Sequence, residues 1–522
     1  MKRWVLAACL GAALGIRGGA QVHETHKLTA SEGVDRFGWS SAVSESYALV
    51  GMWTDDDLGS YSGSVFVFDR TSGQQLRKLT ASDGADGHNF GYSVAISGDI
   101  AVVGALKADG ATGESGSAYV FDVSTGQQLR TLTASDGRPL DYFGSSVAMS
   151  GGLAVIGAKW HTVPGGLSTG AAYLFDLETG LQLHKFTPSD GDTNDDFGCS
   201  VSMAGSLAVI GAELDSDSGQ WSGSAYVFDV QTGQQLRKLT ASDAESDDRF
   251  GSAVALSGNI AVIGAYGDGD LGADSGAAYL FEVTTGQELF KLTASDGAAA
   301  DRFAWAVARS GTLAVIGSFA YDGQAVDCGK VYVFDVTTGQ EVFGLTAFDG
   351  TTYGALGYSV AICENTILAG ALYDYRVPSG RGSAYLFSLP GRRYGHGCAG
   401  TGGIVPVYDI TGDATPGGLI NLEISDAVGG SVAFIGQGLE RASLPMGPDC
   451  TLNLALPAVQ FLGPFYLYPY HGSGAGNGWL EIQIAVPPSA PPGLSFTSQV
   501  FIVDSGVPRG FSNSNGVEVP YQ

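Results

Sequence analysis

Phe90-Gly91-Tyr92-Ser93-Val94-Ala95-Ile96-Ser97-Gly98-Asp99-Ile100-Ala101-Val102-Val103-Gly104-Ala105 decides the fold. Tyr92 to Ile96 and Ile100 to Val103 read as two short strands joined by a Ser-Gly-Asp turn, because β-branched and aromatic residues alternate with small ones on either side of the break. After a longer loop, Ser117 to Phe121 reads as a third strand. The turn at Thr125-Gly126 then leads into a fourth, Gln127 to Ala134. Glycine at that turn accepts a positive φ, and the preceding Asp122 can bond the free turn amides.

The same unit returns along the chain. Phe37-Gly38, Phe90-Gly91, Phe143-Gly144, Phe197-Gly198, Phe250-Gly251, Phe303-Ala304 and Leu356-Gly357 are separated by 53, 53, 54, 53, 53 and 53 residues. An apolar run ending in glycine keeps the same phase, from Leu49-Val50-Gly51 to Ala369-Gly370-Ala371. The Thr-Gly or Ser-Gly turn does so too, at Gly73, Gly126, Gly180, Gly233, Gly286 and Gly339. Two markers in phase over seven copies and a third over six, four strands to a unit and no amphipathic helix between them predict an all-β chain with a seven-bladed β-propeller over residues 21–390. The series opens on an orphan fourth strand, His26 to Ala30, and ends on a third strand, Gly382 to Leu389. The N-terminus is therefore expected to complete the last blade, leaving no open edge.

Composition agrees. The chain has 522 residues, 79 of them Gly, with 44% hydrophobic residues, which excludes global disorder. Its net charge of -27 repels phosphate backbones, so nucleic acid is not an expected partner. Residues 1–20 read as a signal peptide: Lys2 and Arg3, then the apolar Trp4 to Ile16, then small residues Gly18-Gly19-Ala20. The expected location is secreted, periplasmic or cell-surface. No later stretch is long and apolar enough for a transmembrane helix.

The Phe-Gly pairs and Gly-Ala markers resemble the FG-GAP repeats of integrin α-subunit propellers and their secreted bacterial relatives. That resemblance implies an extracellular propeller used for recognition or adhesion. The sixth and seventh copies depart from it at Phe303-Ala304 and Leu356-Gly357. The strict Asp-x-Asp-x-Asp-Gly calcium loop of the integrin repeats is missing between the first two strands of each unit.

In such a blade the loops from fourth to first strand and from second to third share one face, and here they are long and acidic. This face is expected to bind the ligand, a protein or glycan. Alternating oxygens at Asp190, Asp192, Asn194 and Asp196 suit Ca²⁺, as do Asp268, Asp270 and Asp274, and the pair Asp215 and Asp217. Solvated turn residues explain the same pattern. The seven His show no metal spacing, and there is no Gly-x-Ser-x-Gly elbow or P-loop lysine. A non-enzymatic recognition or adhesion protein is the leading expectation. A polysaccharide-acting enzyme and a structural envelope component are the alternatives.

Beyond residue 390 the period stops. Alternating runs at Leu419 to Ile424, Trp479 to Val486 and Gln499 to Val503 predict a small C-terminal β-sandwich over 391–522. It is similar to the C-terminal domains of secreted repeat proteins of planctomycete-type bacteria. Cys398 and Cys450 are expected to form a disulfide there, given export to an oxidising compartment. The oligomeric state is left open.

Overall fold

In a computed structural model the chain divides into two compact units, His23–Ser388 and one holding Leu389–Gln522. Described are residues 22–389, apart from 32–35, 164–165, 167 and 375–381, and beyond them the backbone of twelve strands between Arg392 and Pro520.

The first unit is seven four-stranded antiparallel sheets. In the second blade the strands, here A to D, are Phe90–Ser97, Ile100–Ala105, Ser117–Asp122 and Gln127–Leu132. The A strands of successive blades pack on one another around the ring, the seventh against the first, so A is the innermost strand. His23–Leu28 pairs antiparallel with Ser383–Ser388, register Leu28 to Ala384, and supplies strand D of the seventh blade. The strand starts three residues earlier than expected and leaves Ala30 outside.

The geometry explains why two glycine markers hold one phase. Each Phe of the Phe-Gly pair is fully buried, and its ring meets two strand-C aromatic rings edge-on, as Phe143 meets Tyr173 and Phe175 at 5.7 and 5.8 Å; in the first blade Phe37 meets Phe66 and Phe68. The glycine after it has φ near +90° (Gly144, 90°), and its carbonyl touches the strand-B glycine of the preceding blade. A Cβ on Gly104 would lie 2.1 Å from the Gly144 oxygen. The same oxygen accepts the Ser93 hydroxyl at 2.8 Å, and Ser359 to Gly38 repeats the bond across the closure. Hydrophobic clusters likewise run from one blade into the next: Val102, Val120 and Leu132 pack with Phe143, Ile156 and Tyr173. The ring is thus held by between-blade contacts that no single repeat can make alone.

The second unit contains a six-stranded sheet that includes Ser495–Val503 and Val432–Gly438, a four-stranded sheet that includes Leu419–Ala427 and Gly478–Ala485, and the hairpin Leu444–Gly447 with Cys450–Leu452. The expected sandwich packing, the Cys398–Cys450 bridge and the signal peptide lie outside the described residues. Cys199 and Cys328 are free thiols.

Candidate functional site: the loop face and the channel mouth

Four blades build the same charged group on the loop face. A buried carboxylate in the B-to-C loop, Asp55, Asp215, Asp268 or Asp374, meets a strand-D ammonium, Lys78, Lys238, Lys291 or Lys27. In the fifth blade Lys291 Nζ lies 2.7, 2.8 and 2.6 Å from Asp243, Asp268 and Asp270. The Tyr279 hydroxyl donates to Asp243 and Asp268 at 2.8 and 2.9 Å. In the fourth, Lys238 lies 2.9, 2.8 and 2.5 Å from Asp190, Asp215 and Asp217. Burial opposes the charge on both lysines, but the carboxylates outweigh it and hold each ammonium above its ordinary pKa.

The other blades vary together. The second has Thr131 for the lysine, Ala108 for the buried aspartate and Gly110 for the outer one. In the third, His161 replaces the aspartate, with Nδ1 2.7 Å from Asp141 Oδ2 and Nε2 2.8 Å from Lys185 Nζ. In the sixth, Gly344 replaces the lysine and Tyr321 the aspartate, and Lys330 from strand C reaches Asp296 at 2.6 Å. In the second and sixth blades the strand-D lysine and the B-to-C loop aspartates are lost together, whereas the third keeps Lys185, which turns to His161 and Asp136.

Asp243, Asp268 and Asp270 have carboxylate oxygens within 4.8 Å of one another, the one such candidate metal group among the described residues. Ca²⁺ requires six to eight oxygens at about 2.3–2.6 Å. Here the point between the carboxylates holds an ammonium that donates to all three, so the group does not fit Ca²⁺ while Lys291 is present. The Asp190–Asp196 run does not converge either. Asp190 joins Lys238, and Asp195 takes the Asp192 N–H at 2.5 Å. Asn194 and Asp196 have φ of 69° and 57°, and Asp196 interacts with Lys159 and Arg249 and not with the Lys238 group. Asp274 is exposed, and its carbonyl accepts the Arg302 N–H at 3.0 Å.

Sequence reading missed the channel mouth. The residue after each Phe-Gly pair lies near the start of strand A, the innermost strand, beside the central channel of the propeller. On the sixth, seventh, first and second blades it is Trp305, Tyr358, Trp39 and Tyr92; on the third to fifth it is Ser145, Cys199 and Ser252. The four aromatic residues form a continuous arc, with ring centroids 5.5 Å apart for Trp305–Tyr358, 5.1 Å for Tyr358–Trp39 and 5.3 Å for Trp39–Tyr92. A second tier, just after strand B, adds Trp53, Tyr266 and Phe319 to the arc, and Lys159 and Glu213 opposite the small residues. The residue before each Phe has a positive φ in all seven blades, among them Arg36 (65°), Asp196 (57°), Arg249 (61°) and Arg302 (52°). Non-glycine residues in this conformation are strained and cluster at functional sites.

The charges in the mouth interact. Burial pushes the Glu213 and Asp196 carboxyls up, while Lys159 and Arg249 pull the other way. Burial works against the Lys159 ammonium, but Tyr92, Glu213 and Asp196 hold it above its ordinary value. Burial pushes the Cys199 thiol up as well, so it is no activated nucleophile. The guanidinium of Arg36 lies over Trp39 and Trp53 at 5.7 and 5.2 Å, and that of Arg302 over Phe319 at 5.7 Å. The signal that could have exposed this arrangement is a comparison of the seven copies at fixed phase.

A closed ring of seven such blades with Phe-Gly pairs locked between them defines a β-propeller recognition domain. Compared with known families, residues 22–68, 74–121, 127–175, 181–228, 234–281, 287–334 and 340–387 each match the FG-GAP repeat, and the chain belongs to that family. Each matched segment runs from a strand D through A, B and C, which accounts for the orphan strand at the start. Among curated proteins nothing matches. Among the described residues no helix is long and apolar enough to cross a membrane.

Proposed function

We propose that the chain is an exported, non-enzymatic recognition protein that binds an extracellular protein or glycan through its loop face, with the channel mouth as the central contact. Family membership makes the propeller an interaction domain; the finer reading rests on the aromatic arc facing Lys159 and Glu213. Ligand sites are concave and lined by aromatic groups with a few convergent polar ones. Lys159 and Glu213 act on each other and on Asp196 electrostatically, which gathers both signs of charge on one side of the mouth. Export rests on the sequence of residues 1–20. Calcium enters this reading only as a competitor for Lys238 and Lys291.

The test compares the intact chain with Trp39→Ala and Trp305→Ala on arrays of extracellular glycans and proteins. Captured ligands are expected to be lost from both variants while the fold persists. Binding unaffected by either substitution would move the site elsewhere. The runner-up is hydrolysis, because Asp196 and Glu213 are two carboxyls in one cleft with raised pKa values. Release of reducing ends that Glu213→Gln abolishes would replace recognition with catalysis.

A further inference from the structure

We propose that the channel mouth is a saccharide site selective for acidic sugars, a uronate residue stacking on the aromatic arc with its carboxylate directed at Arg36, Arg302 and Lys159. This rests on the reading of the mouth as the recognition site and adds the ligand class.

The first argument is local charge. Over the whole chain 53 acidic residues face 26 basic ones. At the three mouth positions of the seven blades the balance reverses: there are four basic residues, Arg36, Lys159, Arg249 and Arg302, and two acidic ones, Asp196 and Glu213, although Arg249 also pairs with Asp247 at 3.7 Å. Among the described residues Arg36, Arg302 and Lys159 form no ion pair, although basic groups elsewhere on this face do, as Lys78, Lys238 and Lys291 show. The surplus positive charge is therefore concentrated where the surface is concave, and low-dielectric walls strengthen its field there.

The second argument is the use of the ring faces. Aromatic cages attract cations. Here Arg36 already covers Trp39 and Trp53, and Arg302 covers Phe319, so the cation role is filled from within the chain. What remains is apolar ring surface beside guanidinium donors. That combination suits the hydrophobic face of a pyranose together with a carboxylate, which guanidinium groups bind in a bidentate fashion. Glu213 and the Ser145 and Ser252 hydroxyls, on the small-residue side, are left for sugar hydroxyls.

A net charge of -27 repels anions, but the peripheral carboxylates of the fourth and fifth blades are engaged by Lys238 and Lys291. The rest is screened over a Debye length of about 8 Å at physiological ionic strength.

The experiment titrates the full chain, followed by tryptophan fluorescence and calorimetry, with a panel of uronate trisaccharides: galacturonate, glucuronate, and mannuronate or guluronate. Their methyl esters carry the same rings without the charge. At least one acid is expected to bind tenfold or more tightly than its ester. Arg302→Gln and Lys159→Met, each checked for an unchanged melting temperature, are expected to remove that preference. Where Arg302→Gln does not fold, Lys159→Met decides alone. Equal binding of acid and ester would overturn the acidic-sugar assignment and leave mouth recognition standing. No binding by any acid, or displacement of a bound acid's signal only by oligolysine, would also overturn it. Acid selectivity that survives Lys159→Met and Trp39→Ala would place the site outside the mouth and bring down the functional reading with it.

Discussion

Replacing Lys291 by Met tests whether the loop acids are ion groups or metal ligands. The substitution keeps the aliphatic stem and removes the charge. Asp268, whose side chain is 5% exposed, then loses its ammonium, while Asp243 and Asp270 stay close to it. Two carboxylates 4.8 Å apart repel by about 3.5 kcal/mol at an effective dielectric of 20. Asp243 and Asp270 are 44% and 62% exposed, so solvent screens most of this. Breaking a fully buried pair costs about 3–5 kcal/mol, and a half-open one is expected to cost about 2 kcal/mol. For a unit of this size that is a fall in Tm of roughly 2–4 °C.

The same variant is expected to acquire a calcium response. Three carboxylates within 4.8 Å and no ammonium resemble a weak extracellular site, with Kd of about 10⁻⁴–10⁻³ M. At 10 mM Ca²⁺, binding then returns about 1.4–2.7 kcal/mol, most of what was lost. Thermal unfolding of wild type and Lys291→Met, each with chelator and with 10 mM Ca²⁺, gives four curves. Wild type is expected to be indifferent and the variant to be rescued. A wild type destabilised by chelator would refute the argument, because it would mean that metal binds despite Lys291.

Other outcomes follow from the same contacts. Removing residues 21–30 takes away the strand paired with Ser383–Ser388 and is expected to lower the melting temperature of the whole propeller, since it also exposes Leu28's packing partners. Gly104→Ala, whose Cβ would meet the Gly144 carbonyl, is expected to cost more than about 3 kcal/mol in urea unfolding. Ala304→Gly relieves an alanine held at φ 66° and is expected to be stabilising by up to about 1 kcal/mol. Burial raises the Asp195 and Asp248 carboxyls to about 6. A raised carboxyl binds its proton more tightly when folded, so its contribution is present below pH 4 and lost as pH rises through 6. Asp195→Asn and Asp248→Asn keep the acceptor for the Asp192 and Glu245 N–H groups and are expected to flatten the wild-type decline in Tm between pH 4 and 6.

The ring was legible because its contacts repeat. Phe143, Gly144 and Gly104 each answer a steric demand that recurs in every blade, so a self-comparison finds them. Closure was legible because an unpaired strand at one end matched a missing one at the other. The lysine groups were not legible. Lys238 and Asp217 are 21 positions apart, Lys238 and Asp190 48, and only the stacking of strands brings them together. From sequence the loop shows its acids and hides the base, so it reads as a metal loop. The mouth was hidden for the opposite reason: Trp39, Cys199 and Ser252 share one structural position, and a search for likeness discards the differences that define the site.

Those differences carry information because the fold does not demand them. Strand A has the same pairing to strand B whether it opens with Trp305, Ser145 or Cys199. A ring that accepts serine at this point gains nothing structural by crowding two indoles and two phenols on one side of its channel. The arc also depends on closure. Tyr358 belongs to the seventh blade and Trp39 to the first, and their rings come within 5.1 Å where the ring closes, the blade that holds Tyr358 being completed by His23–Leu28. The sequence ends of the propeller thus supply the aromatic wall and its middle supplies Lys159, Glu213 and Asp196. Deleting the closing strand is therefore expected to abolish mouth binding at temperatures where the middle blades stay folded. Peripheral blade contacts would survive that deletion, so retained binding would show that the ligand never touched the arc.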